Sequence, residues 1–424
     1  FGQLYLQSDK LDVLPWFRTQ LPASQKLQHA SINFKAWGRI DNGLLRRIQL
    51  ELADNRLSWR QDDTAQSLQL GSGQLLWQPE ADGWSLSSGA LTLSDQQQQW
   101  QDLTFSLQRR GGQWLGAVQN FPLGAMTPLA DLFAEDISQL QQLVVHQPEG
   151  DIRQLQWRVA DDSWQVQGNF TNVSSLPRGD IPGVSNLDGD FLLSPQLIRL
   201  QLDSVASELS WDGLFASVTP YELLSATVYA RRDNASAQAE LTPWQLSIPA
   251  LSLHSNDLQL DASLQLGNEL SILARLQQLD AARAAQYFPQ RYMPQRTREY
   301  LTQAIRAGSL TDATMLWHGK PADFPYREQQ GVFQVLAKLQ HGQFSFAPGW
   351  PDITELNTEL WFENAAMQIQ SVGGKLGDIE LEQGVTAQIA DLFDAKALDI
   401  RIQQQVDASA LTALMLQSPL QHNL

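Results

Sequence analysis

From Ile48 to Ile402 the chain repeats one pattern: a short apolar/polar alternation, a polar turn, then another alternation. Ile48, Leu50 and Leu52 alternate with Gln49 and Glu51. Leu103, Phe105 and Leu107 follow, then Leu155, Trp157 and Val159, then Leu258, Leu260, Ala262, Leu264 and Leu266. Period two puts every second side chain on one side of a sheet. A chain written this way predicts a mostly antiparallel sheet with one apolar face and little helix to cover it. Counting alternations gives on the order of 20 to 25 strands. Open twisted sheets rarely exceed ~10 strands without curling or splitting. The periodicity therefore leaves four architectures open: packed sandwiches, a closed barrel, a solenoid or a curled trough.

Composition removes several function classes. The net charge is -17, from 29 basic and 46 acidic residues. Nucleic-acid binding needs the opposite balance, because phosphate contacts come from Lys and Arg. The acidity reads as solubility for a long exposed surface. The absence of Cys excludes disulfides and thiolate metal sites, and fits an oxidising compartment. Nothing in the sequence resembles a run of ~18 apolar residues, the length a membrane-spanning helix requires.

Turn signals recur between the alternations: Asp54-Asn55, Asp82-Gly83, Gly111-Gly112, Asp188-Gly189, Asp212-Gly213 and Gly267-Asn268. Such pairs reach the positive φ angles of tight hairpins. Gly71-Ser72-Gly73 reads as another turn, since it lacks the Lys of a phosphate loop. A Trp often opens the strand near a turn, as at Trp84, Trp114, Trp164, Trp211 and Trp244. These rings either line a groove or sugar site, or fill a core and cover a sheet end.

Four stretches break the alternation. Residues 9–28 read as a short helix and a loop around Leu11, Leu14, Trp16 and Phe17. Residues 123–145 carry Leu129, Leu132, Phe133, Ile137, Leu140 and Leu143 at the spacing of an amphipathic helix. In 280–307 the spacing predicts a helix from Gln295 to Ala307, with Tyr300, Leu301, Ala304 and Ile305 on one face and a stop at Gly308. A last short helix is expected at 408–416. The expected sections are 1–122, 123–279 opening with the amphipathic helix, and 280–424, all in one continuous sheet.

Signs of catalysis or metal binding are weak. The six His residues, at 29, 146, 254, 318, 341 and 422, show no metal-ligand spacing. Asp62-Asp63, Asp161-Asp162 and Asp188-Gly189-Asp190 place carboxylates close together, as glycosidases do. All three sit in turn-like contexts, where Asp is common for backbone reasons. The expectation is a non-enzyme without cofactor or metal. Five arginines, Arg283, Arg291, Arg296, Arg298 and Arg306, stand against the acidic background with Glu299 as the acid among them. Contact with phosphate headgroups, above all by Arg291, Arg296 and Arg298, is one reading. The solvated face of a helix that caps the sheet is the other.

The stretch from Tyr287 to Phe362 is the most specific. It reads Tyr287-Phe288-Pro289, Met293, Tyr300-Leu301, Ala307-Gly308, Gly319, Asp323-Phe324-Pro325-Tyr326, Gly331-Val332-Phe333 and Gly349-Trp350-Pro351-Asp352-Ile353. Pro148-Glu149-Gly150 before a strand, and Ser418-Pro419-Leu420 after a short helix, accompany it. This order resembles the YhdP branch of the AsmA-like envelope proteins of Gram-negative bacteria. The resemblance implies a long curled antiparallel sheet forming an elongated, taco-like groove with an apolar hollow. It also implies an N-terminal inner-membrane anchor, projection into the periplasm and passage of phospholipid between inner and outer membranes. This chain lacks that anchor and is much shorter than the family's proteins, so it is expected to be an internal section.

Elementary energetics fit that implication. Exposing an acyl chain costs roughly 0.8 kcal/mol per CH₂, so a sixteen-carbon tail costs on the order of 12 kcal/mol. An apolar trough removes most of that barrier and leaves the headgroup in water. The candidate lining residues are Leu258, Leu260, Leu264 and Leu266, then Ile272 and Leu276, then Ile379, Leu381, Val385 and Ile389. Two other readings stay open: a structural envelope protein with packed β-sandwiches, and a carbohydrate-binding or carbohydrate-active β-solenoid built on Asp and Trp.

Overall fold

The computed structural model describes residues 1–17, 27–61, 64–96, 98–125, 145–161, 163–179, 181–212, 215, 218–232, 244–288, 290–291, 293, 295–382, 385–394 and 399–423. The chain is mostly β. Its 26 strands belong to one sheet, and every described pairing is antiparallel. It divides into two compact units, Phe1–Arg178 with Gly183–Gln201, and Gly179–Pro182 with Leu202–Leu424.

The first unit holds β1 (Gly2–Asp12), β2 (Leu27–Asp41), β3 (Leu44–Leu52), β4 (Asn55–Gln61), β5 (Thr64–Leu70), β6 (Gly73–Glu80) and β7 (Gly83–Ser88). It continues through β8 (Leu91–Ser94), β9 (Gln99–Arg110), β10 (Gln113–Gln119), β11 (Phe121–Pro122), β12 (Glu149–Ala160), β13 (Ser163–Ser175) and β14 (Gly183–Leu193). The unit boundary falls inside β15 (Leu197–Ser210). A short helix, α1 (Leu14–Phe17), starts where the Asp12 carboxylate accepts from the Leu14 amide at 3.0 Å, an N-cap.

Pairing in this unit corrects three expected turns. Both β3 and β4 lie antiparallel to β2, at Phe34↔Leu52 and Ser31↔Arg56, so Asp54-Asn55 is a crease in one long strand and not a hairpin. In the same way β5 and β6 continue each other alongside β4 and β3, and Gly71-Ser72-Gly73 is the crease between them. Asp188-Gly189 lies inside β14, and a Cβ on Gly189 would stand 2.1 Å from the Gln201 carbonyl oxygen. The glycine is there for close strand approach, not for a turn. Asp82-Gly83 and Gly111-Gly112 do join hairpins, β6 to β7 and β9 to β10.

The creases belong to a wider device. Lys10, Asp102, Gln154 and Asn172 have positive φ inside strands, and the register slips beside each of them. These are β-bulges, which bend a strand and leave a backbone amide without its ladder partner. Side chains of the next strand satisfy several of those amides. The Asn33 carboxamide accepts from the Lys10 amide. Asn55 accepts from the Asn33 amide at 2.6 Å, and Asp188 from the Asn172 amide at 2.8 Å.

The second unit holds β16 (Thr219–Arg231), β17 (Gln245–His254), β18 (Leu258–Leu266), β19 (Leu270–Asp280), β20 (Ile305–Gly319) and β21 (Val332–Phe344). Then come β22 (Ile353–Glu363), β23 (Ala366–Leu376), β24 (Ile379–Leu381), β25 (Thr386–Ile389) and β26 (Asp399–Arg401). Bulges recur at Asp312, His341 and Glu355, and the Asn357 side chain accepts from the His341 amide at 3.1 Å. A 3₁₀ turn covers Ala281–Tyr287, α2 covers Gln295–Ala304 and α3 covers Ala408–Leu416. The last of these matches the expected terminal helix, with Asp407 as its N-cap.

Two helix expectations need correction. The segment expected to be helical from residue 9 is strand through Asp12, because Leu11 and Asp12 pair with Ile32 and Ser31. The helix expected to reach Ala307 stops at Ala304, since Ile305 opens β20 opposite Phe344. Ladder pairing there outweighs helix periodicity. The helix expected over 123–145 lies almost wholly outside the described residues.

Asn55 is 9% exposed and both accepts from Asn33 and donates to the Ala53 carbonyl at 2.6 Å. Asn55→Ala leaves those backbone groups unpaired and is expected to cost about 1–3 kcal/mol. A urea midpoint equal to that of the parent chain would show that strand pairing alone holds the crease.

Candidate functional site

Direct register turns the sequence alternation into continuous rows. In the first unit a row begins at Leu4 on β1, passes Gly38, Ile48, Trp77, Leu86, Leu107, Gly116, Trp157 and Val166, and ends at Leu193 on β14. Glycine is part of that lining. A Cβ on Gly116 would stand 2.0 Å from the Trp157 indole, so the ring lies in the space the glycine leaves. In the second unit a row runs Ala226, Leu251, Ala262, Ala274, Met315, Val335, Phe362, Met367 and Ile389. Opposite faces carry Ser225, Ser252, Asp261 and Arg275 at the matching level.

These rows are not a closed core. From Ile48 to Leu193 every residue of the first row is half-buried, and so are Met315, Val335, Phe362, Met367 and Ile389 in the second, where the small Ala226 and Ala274 are buried. Among the described residues Trp59 and Tyr326 are the large side chains below 2% exposure. A sheet face packed on a second layer would bury its residues far more completely. The apolar side is therefore within reach of solvent.

Closed packing gathers where short helices and turns cover the sheet. In the first unit α1 covers Ala30 and Leu57, with Val13 and Leu14 buried between them. In the second unit Ala281 of the 3₁₀ turn packs on Leu339 and Leu356. Beside them Leu414 of α3 seals Leu376, Ile379 and Leu381. Elsewhere in that unit Phe324 packs on Trp317, Phe333 and Phe393, with centroids 4.8, 5.4 and 5.3 Å away. The two rim segments carrying Phe324 and Phe393 are joined by Arg327 donating to Asp391 at 2.8 Å.

The predicted lining residues divide accordingly. Leu260 pairs with Leu276 and Leu264 with Ile272, on the face of the open row. Leu258 pairs with Leu279 and is buried, whereas Leu266 is 39% exposed at the strand end. Ile389 ends the open row, but Ile379 and Leu381 lie in the sealed cluster, with Val385 packed against it. The arginines do not form one patch. Arg298 donates to the Gln290 carbonyl at 3.3 Å, and Arg291 and Arg296 face solvent. Arg283 and Arg306 lie 3.6 Å from Asp257 and Asp352.

Asp257 anchors the 3₁₀ turn: it accepts from Ser255 at 2.7 Å, Gln286 at 2.8 Å and Tyr287 at 3.3 Å. Burial pushes its carboxyl up, but these hydrogen bonds and Arg283 hold it below the usual range. Burial, with the neighbouring Tyr287, pushes Tyr221 up to about 12. These bonds tie the turn to the β17–β18 hairpin.

A family model described as YhdP protein matches residues 1–424. The chain belongs to the YhdP family. The Intermembrane phospholipid transporter YhdP of Escherichia coli strain K12 is 25% identical over 423 residues, 94% of this chain and 32% of that protein. The chain thus spans about a third of the length of that relative. No solved structure gives a significant match.

Two outcomes follow from this site. Leu381→Asp places an unpaired charge in a sealed cluster and is expected to cost several kcal/mol, whereas Leu260→Asp, within reach of water, costs about 1–2 kcal/mol. Equal losses of thermal stability would mean that both positions are dry. The Arg327 hydrogen bond holds Asp391 below its ordinary value of 3.8. A depressed carboxyl contributes stability above the unfolded value and loses it as pH falls through the folded one. The difference in melting temperature between the parent and Asp391→Asn is therefore present at neutral pH and shrinks as pH falls below the ordinary carboxylate range. A difference that persists unchanged in acid would rule out the ion pair as its source.

Proposed function

We propose that this chain is a section of a lipid conduit, in which acyl chains of phospholipid lie on the apolar face while headgroups stay in water. The observation that carries this reading is the half-exposed apolar row in each unit. A row of Ile, Leu, Trp, Met and Phe left within reach of solvent is unfavourable for the bare protein, and an acyl chain is the complementary apolar partner. The name of the 25%-identical relative supports phospholipid as the cargo. In this reading the protein works in the periplasm, held to the inner membrane by parts outside this chain, and lipid passes between the inner and outer membranes. It performs no bond chemistry and needs no cofactor. Direction comes from outside the section, since similar apolar residues at successive strands give no preferred stopping place.

The test is photo-crosslinking in cells. A benzophenone side chain replaces Leu264 or Met315, on the open face, or Gln265, on the opposite face. Phospholipid adducts at Leu264 and Met315, and none at Gln265, are expected. Equal labelling of both faces, or none on either, would sink the conduit in favour of a structural role.

A further inference from the structure

A second row lies one step beyond the lining row of the first unit. At the hairpin ends of β6, β7, β9, β10, β12 and β13 the register runs Pro79, Trp84, Arg109, Trp114, Val159 and Trp164. Each lies two positions along its strand from a lining residue, so both rows share a face and stand about 6.8 Å apart. Trp77, Leu107 and Trp157 of the lining row are half-buried, as are Pro79 and Trp84 of the outer row, whereas Trp114, Val159 and Trp164 are 38, 40 and 42% exposed.

The polar groups of this row are specific. The Trp84 and Trp114 rings meet edge to face at 5.6 Å, and the Arg109 guanidinium lies 5.5 Å from the Trp114 ring. Neighbouring Arg110 is engaged by Glu80 at 3.0 Å, but Arg109 forms no ion pair among the described residues. Asp82 lies in the β6–β7 hairpin turn, two residues before Trp84, which pairs with Arg109. Trp and Arg together suit a boundary between apolar chain and water: the ring is amphipathic, and the guanidinium is a planar donor matched to phosphate oxygens. The pairing recurs in the second unit, where Arg232 lies 5.1 Å from the Trp244 ring, two positions along from Leu246, which pairs with Leu266.

We infer that Arg109, held over Trp114 between Trp84 and Trp164, binds the phosphate diester of a phospholipid whose acyl chains lie on the adjoining row at Leu86, Leu107 and Trp157. This rests on the conduit reading. The separation of the rows lets phosphate and first methylenes engage at once, and the stacked ring holds the cation at the lip instead of letting it fold into solvent. A lip of this kind sets the height at which lipid rides and favours phosphate-bearing lipid over neutral diacylglycerol.

The experiment uses the purified full chain with a benzophenone at Val159, on the lip, or at Leu107, on the lining. The probes are phosphatidylglycerol vesicles, the same vesicles doped with labelled diacylglycerol, and inorganic phosphate as competitor. Arg109→Glu is expected to lower phosphatidylglycerol adducts at Val159 at least about fivefold, the factor that ~1 kcal/mol produces, with less than about twofold change at Leu107. Diacylglycerol adducts should not respond to Arg109→Glu, and inorganic phosphate should not compete. Adducts at Val159 that are indifferent to Arg109→Glu, while Leu107 still labels, overturn the lip and leave the conduit standing. An equal fall for diacylglycerol, or full competition by inorganic phosphate, also overturns it. No adduct at either position removes the conduit reading itself.

Discussion

Register between neighbouring strands is the constraint on which everything else in this chain depends. Apolar residues at every second position make a continuous surface only if each strand meets the next without a net slip. A slip of one residue would move a strand's whole apolar set to the opposite face. The ladder holds Trp77 against Leu86 and Leu86 against Leu107, and in the other unit Met315 against Val335 and Val335 against Phe362. Most cross-strand neighbours on this side are apolar, so the backbone hydrogen bonds and the side-chain contacts favour the same alignment.

That constraint makes the bulges informative. An extra residue in one strand would ordinarily disturb the rows beyond it. Here an extra residue in one strand is met by irregularity in its neighbour, as at Asp312, His341 and Glu355 on successive strands. The alternation resumes on the same face past each bend. The amides of Lys10, Asn172 and His341 are taken by Asn or Asp from the next strand, so these bends are satisfied by a neighbouring strand. Asn33, Asn55, Asp188 and Asn357 thus contribute to the shape of the strands.

Cover is distributed unevenly over the apolar face. Short helices and turns cover parts of the sheet, through Leu14 in one unit and through Ala281 and Leu414 in the other, while the large side chains of the middle rows stay half-buried. A packed β-sandwich would distribute burial the other way, deepest in the middle of each strand. The sealed parts resemble the ordinary interior of a small protein, where an inserted charge is expensive. The open middle resembles an interface without its partner. Around α2, Arg298 serves the Gln290 carbonyl, and Arg283 and Arg306 sit at the surface beside Asp257 and Asp352.

Local pattern alone determined that the chain is strand-rich, which side chains share a face of each strand, and where several hairpins and the terminal helix fall. Those are properties of a period and of residues that tolerate particular φ angles. Leu260, Leu264, Ile272 and Leu276 were legible as one face for that reason. Tertiary structure decided what period cannot express. A leucine facing a core and a leucine facing an open trough read alike, so burial separated Leu381 under α3 from Leu264 on the open row. Asp54-Asn55 and Gly71-Ser72-Gly73 carry turn chemistry, yet pairing made them creases in long strands, because local residue types do not say which strand will lie alongside. The Trp residues after turns were visible one by one. Their alignment with Arg109 into a single lip arose only when neighbouring strands were set in register.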